Sequence, residues 1–141
     1  MKPARILIVD DDDHVRDALV DELSPRYSVE AVGSGGEALD ALAHHQYDVI
    51  ISDLKMPDHD GIEVLEFAQK HQRDPVRVLL TGYLDDIRPS MREAFCHIVP
   101  LRAGGGTRLK ILNSWAMGKP VVSTSIGCEG LAAKDGENIL V

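Results

Sequence analysis

The 141-residue sequence is poor in aromatic residues, which make up 4% of it. Its core must therefore be aliphatic, drawn from the 44% of residues that are hydrophobic. Cysteine is scarce: Cys96 and Cys128 stand alone, with no CxxC pair and no metal-ligand spacing. That excludes a thiolate zinc site, and both are read as reduced thiols. No apolar run approaches the roughly 18 residues a membrane span needs. The N-terminus "MKPARILIVDDDD" lacks a signal-peptide layout, because its short apolar run ends in four acids. The expected location is cytoplasmic, away from any membrane. Arginine clusters interleaved with aromatics are also missing, and the net charge is −8. Both speak against nucleic-acid binding.

What charge there is lies unevenly. Residues 1–86 carry 19 acids and 8 bases, a net of −11, whereas residues 87–141 carry 4 acids and 7 bases, a net of +3. The break suggests two segments of different history.

Strand and helix patterns alternate along the chain. "RILIVD", "YSVEAV", "DVIISD", "VRVLLT" and "HIVPL" read as five strands. "HVRDALVDEL", with Val15, Leu19 and Leu23 at helical spacing, reads as the first helix, and "GGEALDALAHH" as the second. "DGIEVLEFAQKH" reads as a third helix presenting Ile62, Leu65 and Phe67 or Ala68. "LDDIRPSMREAF" reads as a fourth, with Pro89 near its start. "GGGTRLKILNSWAMG" then reads as loop plus helix, with Thr107 as N-cap, Gly118 as the stop, and Leu109, Ile111, Leu112 and Trp115 as core. "PVVSTS" is a sixth strand and "NILV" a candidate seventh. The pattern implies a doubly wound, three-layer parallel α/β sheet of flavodoxin-like type, order 2-1-3-4-5 with one or two extra C-terminal strands. The expectation is one α/β domain over 1–141, made of segments 1–83 and 84–141.

Acids stand at strand ends: Asp10 and Asp11 after the first strand, Asp53 after the third. In a parallel sheet these ends share one edge, where ligands bind. The first and third strands are neighbours in the expected order, so the three carboxylates converge. Such a cluster repels itself unless a cation neutralises it, and oxygen ligands favour Mg²⁺. A carboxylate beside Mg²⁺ can attack a phosphoryl group. Thr81, ending the fourth strand, offers a hydroxyl to a phosphoryl oxygen. Asp12, Asp13, Asp58 and Asp60 read as solvated loop acids or helix caps.

"ILIVDDDDHVRDAL", "DVIISDLKMPDHDGIEVL" and "VRVLLTGYLD" together resemble the receiver domain of bacterial response regulators, over residues 4–86. The resemblance implies that Asp53 is the phosphoacceptor of a two-component phosphorelay. Asp11, Asp53 and the backbone carbonyl of Lys55 would hold Mg²⁺, with Asp10 assisting through water. Thr81 would be the switch hydroxyl, and Pro57 and Gly61 would shape the loop. The implied partner is a histidine kinase or a small phosphodonor, the protein acting as a monomer or weak dimer. A receiver carries a lysine at the end of its fifth strand. Here that strand reads "CHIVPLRAGGG", where the nearest cations are Arg102 and Lys110, and His97 stands roughly where the switch aromatic belongs. Phosphorylation is therefore expected to be impaired.

"VPLRAGGGTRLKILNSWAMGKPVVSTSIGCEGLAAKDGENILV" resembles the nucleotide-binding C-terminal domain of retaining glycosyltransferases with two Rossmann-like domains. The resemblance runs from about residue 80 to 141. Strand, glycine loop and helix start suit a diphosphate, so Gly104, Gly105, Gly106 and Thr107 are candidate anion ligands. The ribose-binding glutamate of that family is replaced by Asn113, and its acceptor domain is missing. Glycosyl transfer is not expected, and enzymatic turnover in general is not the leading reading. Both families carry T-G-Y at a strand end, which makes a chimera joined near Tyr83 the simplest account. An inactive fold chimera and a glycosyltransferase fragment with residual nucleotide affinity are the alternatives to a phosphoacceptor.

Overall fold

The computed structural model describes residues 2–81, 86–103 and 108–141. The chain divides into two compact units, Met1–Tyr83 and Leu84–Val141.

The first unit alternates strand and helix: β1 (Arg5–Val9), α1 (Asp13–Leu23), β2 (Ser28–Val32), α2 (Gly35–His44), β3 (Val49–Asp53), α3 (Gly61–His71) and β4 (Val76–Leu80). The four strands form one parallel sheet in the order β2-β1-β3-β4. Each helix starts where a short polar side chain caps free N–H groups. Asp12 accepts from the His14 and Val15 amides, Ser34 from Glu37, and Asp60 from Glu63.

The core lies between the sheet and the helices α2 and α3. Leu7, Val9 and Ile50 of the sheet meet Ala38, Ala41 and Leu42 of α2 and Val64 and Ala68 of α3. Tyr47 joins them, its hydroxyl donating to Glu30 Oε2 at 2.7 Å. The helical stripe on α3 differs from the expected one. Val64 and Ala68 are its buried pair, Leu65 and Phe67 flank them, and Ile62 is exposed. Helix α1 buries no residue at all, and Val15 is exposed.

The second unit holds α4 (Arg88–Glu93), β5 (His97–Val99), α5 (Leu109–Ala116) and β6 (Val121–Ser123). Gly118, with φ +65°, ends α5 as expected, in a conformation that side-chain-bearing residues avoid. The order 2-1-3-4 holds, but the fifth place does not. β5 pairs in parallel with β6 in a two-stranded sheet of its own, instead of joining β4 with β6 beyond it. β5 and β6 are the two strands of one strand–helix–strand unit, and helix α5 packs Ile111 with Val99 and Val121 of those strands. "NILV" does not form a strand. Leu140 makes a single bridge to Val122, and Ile139 one to Asp135. The core here is Ile111, Val121, Cys128 and Ile139, with Val99, Trp115 and Leu131 against it. Leu109 and Leu112, expected in the core, are exposed because the short helix turns Ile111 and Ser114 inward. His97 lies between α4 and α5, its ring nitrogens 2.5 Å from Ser114 Oγ and 3.2 Å from the Met91 carbonyl.

Candidate phosphoacceptor site

The parallel sheet brings its carboxyl ends to one edge. β1 delivers Asp10 and Asp11 there and β3 delivers Asp53. Asp53 pairs in register with Leu80, and the Leu54 amide donates to the Leu80 carbonyl at 2.9 Å. Thr81, the next residue, therefore lies just past the end of β4 at the same edge.

Asp10, Asp11 and Asp53 each present a carboxylate oxygen, and these atoms lie within 4.8 Å of one another. Asp10 is buried, Asp53 half-buried and Asp11 exposed. Burial pushes the Asp53 carboxyl above its ordinary range, and the charges of Asp10 and Asp11 push it the same way. Amide donors at Leu54 and Lys55 oppose them, the Lys55 N–H reaching Asp53 Oδ2 at 3.2 Å. Three hard oxygen donors, one of them raised in pKa by burial and then by its acidic neighbours, fit a small divalent cation such as Mg²⁺.

The loops at this edge are fixed by side chains. The Asp12 amide donates to Asp10 Oδ1 at 2.9 Å. The Arg16 guanidinium donates to the Asp10 carbonyl at 2.7 Å and pairs with Asp13. After β3, the Gly61 amide donates to the Leu54 carbonyl at 2.9 Å. A Cβ at Gly61 would lie 2.0 Å from the Asp53 carbonyl oxygen, so only glycine fits there. Asp58 receives the Gly35 and Gly36 amides at 3.1 and 2.7 Å. Backbone amides hold its carboxyl down at about 2, the Gly36 amide contributing most, then that of His59, and Gly35 less.

Sequence reasoning placed Asp10, Asp11, Asp53 and Thr81 at this edge. It overlooked Arg16, and it read Asp58 only as a loop acid or cap. The Ser34-Gly35-Gly36 start of α2, with bare amides, was the available signal. The candidate anion loop Gly104, Gly105, Gly106 and Thr107 lies outside the described residues.

Residues 6–95 match the family model described as the response regulator receiver domain. The chain belongs to that family. The receiver match continues through α4 to Phe95, beyond residue 86, where the resemblance seen in the sequence ended. Response regulator MprA of Mycobacterium sp. (strain KMS) is 49% identical over 79 residues, covering 55% of this chain and 34% of that protein. The chain thus spans about a third of the length of this curated relative. A CheY-like receiver domain protein from Methanospirillum hungatei JF-1 superposes with a TM-score of 0.59 at 26% identity, over 85% of this chain and 79% of that one. A receiver domain protein from Clostridium thermocellum gives 0.58 at 30% identity, over 65% and 78%. The receiver fold and the order 2-1-3-4 agree with these structures. None of these relatives is a glycosyltransferase. No helix among the described residues is long and apolar enough to cross a membrane.

Proposed function

We propose that this receiver accepts a phosphoryl group on Asp53. The supporting observation is the convergence of three carboxylates at the sheet edge that also carries Thr81. Asp11, Asp53 and the Lys55 carbonyl would hold Mg²⁺, with Asp10 acting through water. Bound there, the cation would neutralise the carboxylates and the charge that develops on the phosphoryl oxygens. An Asp53 oxygen attacks phosphorus, and the bond from phosphorus to the donor's leaving atom breaks, its electron pair departing with that atom: the imidazole nitrogen of a phosphohistidine, or the acyl-side oxygen of acetyl phosphate. The Thr81 hydroxyl donates to a phosphoryl oxygen of the product. The donor is a histidine kinase or a small phosphodonor such as acetyl phosphate. The protein acts in the cytoplasm as a monomer or weak dimer. The family's lysine is missing from "CHIVPLRAGGG", so transfer is slow.

Incubation with acetyl phosphate or beryllofluoride and Mg²⁺ tests this reading, with Asp53→Asn as control. An Asp53-dependent mass gain and binding of the mimic are expected. Neither appearing would sink it.

A second reading of the remainder comes from its sequence resemblance. The compact units divide between Tyr83 and Leu84, and β5 takes β6 as its partner. That division does not single out a glycosyltransferase, and the receiver match runs on to residue 95. A thermal shift with a nucleoside diphosphate tests it, and no shift counts against it.

A further inference from the structure

The loop between β3 and α3 carries Lys55, whose carbonyl is a proposed Mg²⁺ ligand. It runs from Leu54 to Asp60. At its far side Asp58 reaches across to α2, 23 residues away in sequence, and accepts two backbone amides at once. Oδ1 lies 3.1 Å from the Gly35 N–H and Oδ2 lies 2.7 Å from the Gly36 N–H. These are among the first amides of α2, which have no partner within the helix, and an anion there is also favoured by the helix dipole. The loop lies directly on this helix end. A Cβ at Gly35 would come within 2.5 Å of His59 Cβ. His59 is itself held by Glu63, Nδ1 to Oε2 at 3.0 Å.

We propose that Asp58 is a positioning residue: its carboxylate clamps the β3–α3 loop to the N-terminus of α2 and so sets the Lys55 carbonyl for Mg²⁺. The inference rests on the Mg²⁺ reading above. Asp58 touches neither cation nor phosphoryl group. It acts by tying the body of the loop to α2, while the Gly61–Leu54 backbone bond draws the two ends of the loop together. Ser34 caps the same helix by accepting the Glu37 amide at 3.2 Å, which makes it the natural comparison.

The test uses Asp58→Ala, Asp58→Asn and Ser34→Ala in the full chain. Mg²⁺ affinity is read by calorimetry, and loop ordering by amide hydrogen exchange of residues 55–59 without metal. Asp58→Ala is expected to weaken Mg²⁺ binding about tenfold, the lower end for residues that orient metal ligands. It should also speed exchange in the loop. Asp58→Asn keeps one acceptor oxygen and should fall between. Ser34→Ala should lower the melting temperature while leaving both loop exchange and Mg²⁺ affinity unchanged. Unaltered Mg²⁺ affinity in Asp58→Ala would overturn the proposal, as would an equal loss in Ser34→Ala. If the unsubstituted protein binds no Mg²⁺, the Mg²⁺ reading itself fails and this role with it. That failure is distinct because it appears before any substitution.

Discussion

Without a cation, the acidic edge should destabilise the fold that builds it, and Asp53→Asn should reveal this. At 4.8 Å two unit charges repel by about 1 kcal/mol in water and about 3.5 kcal/mol at an effective dielectric of about 20. Asp53 is only half-buried, so solvent screening pulls its repulsion toward the lower figure. Asp10 and Asp11 both act on it. Removing its charge should therefore stabilise the metal-free protein by about 1–2 kcal/mol. Asparagine keeps a carbonyl oxygen to accept the Lys55 amide, so the change isolates charge. For a unit of this size that gain is a rise of roughly 5–10 °C in melting temperature.

The pH dependence has a definite sign. The folded Asp53 carboxyl titrates above its unfolded value. As pH rises from about 4, the unfolded chain loses this proton first, so stability falls until the folded carboxyl also ionises. Asp53→Asn should flatten that fall. With excess Mg²⁺ the unsubstituted protein should recover stability and the variant gain less, since ligand binding to the folded state stabilises it by mass action. Thermal unfolding followed by circular dichroism, in chelator and in Mg²⁺, measures all of this. A variant no more stable than the parent in chelator would refute the electrostatic reasoning. Equal Mg²⁺ stabilisation of both proteins would refute the assignment of Asp53 to the cation site.

Two further outcomes are expected. Gly61→Ala places a methyl group 2.0 Å from the Asp53 carbonyl oxygen. It should cost about 3 kcal/mol by overpacking, read as a lower urea midpoint, and an unchanged midpoint would show that the loop yields freely. Burial lowers the His97 pKa, and nearby Lys119 lowers it further. The unfolded chain then binds more protons below about pH 6.5, so the second unit should lose stability as pH falls through that range. Trp115 fluorescence in urea reports it, and a midpoint equal at pH 8 and pH 5.5 would contradict it.

Local chemistry was legible from the sequence, and only some of the long-range contacts were. Short apolar runs ending in acids gave the strands their place, because a buried parallel strand is apolar along its length and exposes its carboxyl end. Asp12 and Asp60 were open to reading as helix caps, since capping depends on neighbours a few residues away, whereas Ser34 went unread. The convergence of Asp10, Asp11 and Asp53 followed once β1 and β3 were taken as neighbours. Three outcomes depended on competition between distant segments. β5 chose β6 over β4. Ile62, Leu109 and Leu112 turned to solvent although their spacing allowed a core role. Asp58, one loop acid among several in the sequence, became the clamp on α2 because folding brought two bare amides to it. Residue type and spacing determine which groups can cap, coordinate or pack. Which of them meet is decided only when the whole chain settles its competing pairings, since each distant partner must be brought together against the entropy of the intervening chain.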